Sequence, residues 1–113
     1  MLTLDDYVVD VLMRDLVGHD RRPVAFLVYL WLAAEQGRQE ERREEPRRGD
    51  DRVQVSYQLM AESIGVSKSS VQAAVSWLAR RKLIAVSKQN ATATPRYNVM
   101  TPWRERRRGG DRR

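Results

Sequence analysis

The chain has 113 residues, 42% of them hydrophobic, and carries 21 Lys and Arg against 15 Asp and Glu, a formal net charge of +6. That length fits one domain with a modest core, and the lack of cysteine excludes disulfides and thiolate metal sites. No stretch approaches a membrane span, and Asp5, Asp6 and Asp10 interrupt any signal-type apolar run, so the expected compartment is the cytoplasm.

Thr3 followed by Asp6 makes a short capping-box-like start, and Leu4, Val8, Val11 and Leu12 recur at helical spacing, which predicts a helix over residues 3–17. Tyr7, Val9, Met13, Leu16 and Val17 are apolar as well. One small neighbour does not cover so much surface, so the helix either packs on the core with a surplus or forms a homodimer interface, with Val8 and Leu12 placed inside it. Residues 24–36 are apolar nearly all round, the pattern of a helix buried between others. Pro23 suits its first turn and Gly37 its exit. Tyr29 and Trp31 are expected in core or interface packing.

Residues 37–52 form a dense mixed-charge segment in which Pro46 is the one apolar side chain. Such a segment buries nothing and is expected as a solvated charged loop. Its first part extends the preceding helix if pairs such as Arg38 with Glu41 or Arg42 with Glu45 form. Val53, Gln54 and Val55 then alternate as a short strand.

Residues 56–82 contain two short helices joined by a tight turn. Ser56 is placed to cap the first, Gly65 to end it at positive φ, and Ser67 to cap the second. On the second helix Val71, Ala74, Val75 and Leu78 fall at i, i+3, i+4 and i+7, so one apolar stripe faces a core. The opposite side carries Ser69, Ala73, Ser76 and Arg80, with Gln72 at its edge. Small or hydrogen-bonding side chains of this kind let a helix lie close to base edges in a major groove. This is a helix-turn-helix pattern. Beyond it, residues 83–88 and 96–100 read as two strands in which Ile84 and Val86, then Tyr97 and Val99, alternate with smaller or polar residues. The link 89–95 is too long for a two-residue turn and projects as a loop.

On Met60 and Ala61, on Ile64, Gly65, Val66 and Ser67 with Lys68, Ser69, Ser70 and Val71, on the run holding Arg80, Arg81 and Lys82, and on the hairpin followed by Pro102 and Trp103, the chain resembles a winged helix-turn-helix domain. It is similar in particular to small bacterial winged-helix regulators and plasmid replication-initiator domains, over roughly residues 20–103. The resemblance implies a mostly α fold with a small antiparallel β wing at 83–101 and an extra N-terminal helix. With the N-terminal helix included, the length fits a single domain over 1–103, and the basic, Gly-containing composition of residues 104–113 predicts a disordered tail.

The resemblance further implies double-stranded DNA as partner and a role in regulating transcription or replication. Winged helices also serve protein assembly, and in that alternative Leu59, Trp77 and the N-terminal helix supply the contact surface. Expected DNA contacts are Ser67, Lys68, Ser69, Ser70, Gln72, Ala73, Ser76 and Arg80 on the second helix, with Lys88 and Arg96 on the wing. Gln72 matches the adenine edge, whereas Arg80, Lys88 and Arg96 suit phosphates. The charge distribution favours this placement: residues 1–37 carry −3 and 38–52 carry 0, against +5 in 53–102 and +4 in 103–113. Catalysis is not expected. His19 stands alone in a polar link, no His or carboxylate grouping has ligand spacing, and no Gly-rich phosphate loop occurs, so no cofactor or metal is expected either.

Overall fold

The computed structural model describes residues 4–42, 53–90 and 92–104. An N-terminal helix is followed by α1 (Pro23–Arg42), β1 (Val53–Gln54), α2 (Tyr57–Ile64), α3 (Lys68–Arg80), β2 (Ile84–Ser87) and β3 (Arg96–Val99). The result is a mostly helical molecule with one small three-stranded antiparallel sheet in the order β1-β3-β2.

The caps form as the chemistry of the residues dictates. Ser56 accepts a hydrogen bond from the Leu59 N–H, Gly65 ends α2 at φ 91°, and Ser67 accepts from the Ser70 N–H at the start of α3. Between the two helices the Gly65 and Val66 N–H groups both donate to the Ala61 carbonyl, which closes the turn. α3 buries Val71, Ala74, Val75 and Leu78, the stripe expected from spacing. They meet Met60 and Ala61 of α2 and Ala25, Phe26, Val28, Tyr29 and Leu32 of α1 in one core, to which Leu83, Ile84, Tyr97 and Trp103 also belong. The sheet is in register through Val53 opposite Tyr97 and Ile84 opposite Val99. Two polar links tie α1 to β3 and its exit: Gln36 accepts from the Val99 N–H at 3.0 Å, and the Tyr29 hydroxyl donates to the Met100 carbonyl at 3.0 Å.

Several expectations are corrected. The N-terminal helix is wound with i→i+5 bonds over Val8–Leu12 and Arg14–His19, so it passes through Gly18 rather than stopping at 17. Val8, Leu12 and Leu16, each four residues apart, are buried in the core, whereas Val9, Met13 and Val17 are 48%, 40% and 40% exposed. Val8 and Leu12 are therefore core residues and not an interface. α1 continues through Gly37 to Arg42, because Arg38, Gln39, Glu40, Glu41 and Arg42 are all good helix formers that outweigh one glycine, and Arg38 pairs backwards with Glu35. Val86 is exposed, not inward-facing. Arg104, assigned to the tail, is fixed by Asp5 at 2.6 Å and 2.7 Å. The Thr3 cap, the Glu41 and Glu45 pairs, the loop over 43–52 and the tail from 105 lie outside the described side chains.

Trp103 packs as expected, stacked on Tyr7 at 4.7 Å between ring centroids with its Nε1–H donated to Asp5 at 2.7 Å. Among the described residues no helix is long and apolar enough to cross a membrane, and no group of three or more His, Cys, Asp or Glu gathers to hold a metal.

Candidate nucleic-acid interface

The outer face of α3 follows from its inner one. With Val71, Ala74, Val75 and Leu78 fixed in the core, the helical period turns Lys68, Ser69, Gln72, Ala73, Ser76 and Arg80 outward, and all six are exposed. Ser67 and Ser70 behave differently. The Ser67 oxygen accepts from the Ser70 N–H at 3.1 Å, its hydroxyl lies 2.8 Å from that of Ser70, and the Ser69 hydroxyl lies 3.2 Å away. Ser67 is thus engaged as the cap, and Ser70 is half-buried against the start of α1. There it lines a cleft of about 190 Å³ with Arg21, Arg22, Pro23, Val24, Ala25, Ala73 and Ala74.

Lys88 and Arg96 sit together on the wing. Arg96 opens β3 opposite both Gln54 and Ser87, and Lys88 follows Ser87 directly. With Gln54, Gln89, Ala93 and Thr94 they line a polar groove of about 220 Å³. The ten residues expected to contact DNA therefore fall into two groups, eight on or at the start of α3 and two in the wing groove. The two share no lining residue.

The basic run at the end of α3, Arg80 to Lys82, is divided in its duties. Arg81 faces back toward the N-terminal helix, with Nε 3.4 Å from Asp20 and a terminal nitrogen 3.9 Å from Asp15, while Arg80 and Lys82 are exposed. Asp20 also accepts the Trp77 Nε1–H at 2.9 Å, and the His19 Nδ1 lies 3.0 Å from its other oxygen. Burial pushes this carboxyl up, but the hydrogen bonds of His19 and Trp77 and the charges of Arg81 and His19 outweigh that effect and hold it below its usual value. It is an ionised strut under the end of α3.

Two arginines absent from the expected set belong to this neighbourhood. Arg21 and Arg22 are exposed beside the outer face of α3, and the Arg22 guanidinium carbon lies 4.4 Å from the centre of the Trp77 ring. The paired arginines before Pro23 are visible in the sequence, but they fall in a stretch of net charge −3, where averaging hides them. Comparison of the chain with protein-family models, with curated proteins and with solved structures gives no match.

Proposed function

We propose that this chain is a winged helix-turn-helix domain that binds double-stranded DNA sequence-specifically and regulates transcription or replication in the manner of bacterial and plasmid regulators. The observation that carries the reading is the outer face of α3. Lys68, Ser69, Gln72, Ala73 and Ser76 present short or hydrogen-bonding side chains on a helix whose other side is locked in the core. A duplex laid on that face meets Gln72 as the side chain best suited to a paired contact with adenine, and Lys88 and Arg96 supply phosphate contacts from the wing groove. Selection from a random duplex pool tests the reading. Enrichment of one motif is expected, with preference at one or two base pairs flattened by Gln72→Ala at unchanged melting temperature. Failure to bind any duplex at low salt overturns it.

A palindromic target would follow if the protein self-associates. The exposed line Val9, Met13, Val17 fits a second copy of the same helix, because antiparallel pairing centred on Met13 brings Asp10 of one copy beside Arg14 of the other. The protein-assembly alternative retains Leu59, 52% exposed on α2. It loses Trp77, whose ring and Nε1 are already engaged by Arg22, Arg80 and Asp20.

A further inference from the structure

Trp77 is a half-buried indole on α3, one residue beyond Ser76 of the outer face. Its Nε1–H is donated to Asp20, whose side chain is only 5% exposed, so the ring is held at a fixed angle to the helix. Two guanidinium groups lie over that ring, Arg22 at 4.4 Å and Arg80 at 5.6 Å from its centre. Both distances fall within the range of a cation–π contact. Among the described residues neither arginine has a carboxylate partner, since Asp20 and Asp15 face Arg81. Each cation rests on a neutral ring that leaves its charge uncompensated, and an anion beside it gains an attraction that no described carboxylate supplies. A guanidinium held over a ring also keeps N–H groups for the forked contact that phosphate accepts. Arg22 lines the same cleft as Ser70 and Ala73 of α3, so this pair of cations borders the face proposed to read bases.

We propose that Arg22 and Arg80, splayed on Trp77, form a phosphate clamp for the duplex backbone beside α3, and that Asp20 is its positioning residue through the indole N–H. The inference rests on the DNA-binding reading and adds to it a contact from the start of α1. The clamp grips backbone and not bases, so it acts alike on every sequence.

The test uses the full chain and a 20-bp duplex of random sequence, with binding followed by fluorescence anisotropy across a salt series. Arg22→Ala and Arg80→Ala are each expected to weaken binding about tenfold and to lower the salt slope by about one unit. Arg22→Lys is expected to restore the slope but not the affinity, because ammonium keeps the charge without the flat stack or the fork. Trp77→Phe keeps a ring while removing the donor to Asp20, and is expected to weaken binding with the slope retained. If the wild type binds duplex with a steep salt dependence and both alanine variants match it in affinity and slope, the clamp is wrong while the DNA-binding reading stands. If the wild type binds no duplex at low salt, both fall. If poly-glutamate binds as tightly as duplex and Arg22→Ala abolishes that binding, the arginines serve an acidic polypeptide and the clamp on phosphate is overturned.

Discussion

The hydroxyl of Tyr29 donates to the Met100 carbonyl, whereas that of Tyr97 is buried near the Tyr57 hydroxyl with no partner at hydrogen-bond distance among the described residues. Burial pushes both phenols well above their usual range, so neither ionises under ordinary conditions. Removing the two oxygens should therefore have unequal effects. Tyr29→Phe is expected to cost about 1 kcal/mol, since it deletes a made bond, while Tyr97→Phe should be neutral or slightly stabilising because it removes an unpaired polar atom. Urea unfolding of the two variants measures the difference, and equal losses would show that Tyr97 has a partner after all. At this scale the sequence is legible wherever the partner is close in the chain. Ser56, Gly65 and Ser67 act on atoms two to four residues away, and their roles follow from side-chain chemistry alone. The Trp77 bond to Asp20 spans 57 residues, so no local pattern announces it. The outward set on α3 was readable because it is the complement of an apolar stripe, and Arg22 was not, because only the fold brings it there.

Among the elements, α2 and α3 meet at a turn that depends on one backbone conformation. Gly65 sits at φ +91°, and a Cβ added there would meet nothing within 4 Å. The cost of Gly65→Ala is then purely conformational, about 1–2 kcal/mol, and should appear as a lower urea midpoint with unchanged m-value. The N-terminal helix permits a sharper test, since its apolar residues divide between two faces. Leu12→Asp places a carboxylate in the core and is expected to cost about 3–5 kcal/mol, a large part of the stability of a small domain. The double change of Val9 and Met13 to Asp should leave the melting temperature nearly intact and turn a dimer into a monomer by light scattering. A wild type that scatters as a monomer at tens of micromolar removes the dimer. Spacing alone could not say which face is core and which is surface, because Val8, Leu12 and Leu16 recur at the same four-residue interval as Val9, Met13 and Val17. Gly37 misleads for a related reason, as a lone glycine ends a helix only when the residues after it do not favour continuing one.

Across the whole molecule, Asp20 joins the end of the N-terminal helix to α3 through Trp77 and Arg81. Its carboxyl is held below the usual value in the folded chain, so as pH falls the unfolded chain takes up the proton first. The stability it contributes is complete above the ordinary carboxylate pKa of about 3.9 and is lost as pH drops through the lowered folded value. Thermal melts at decreasing pH should show this loss, and Asp20→Asn should melt lower near neutrality while declining less steeply in acid. A parallel decline in both proteins would place the acid sensitivity in other carboxylates.

The meeting of Asp5 with Trp103 and Arg104 joins positions 98 and 99 residues apart. A contact at that separation closes nearly the whole chain into a loop, whose entropy has to be surrendered before the contact returns anything. Such a clasp is expected to form late in folding and to open early in unfolding. Amide hydrogens near Trp103 should therefore exchange through partial opening, well before those of α3, so that the seam between Asp5 and Trp103 breathes while α3 stays shut.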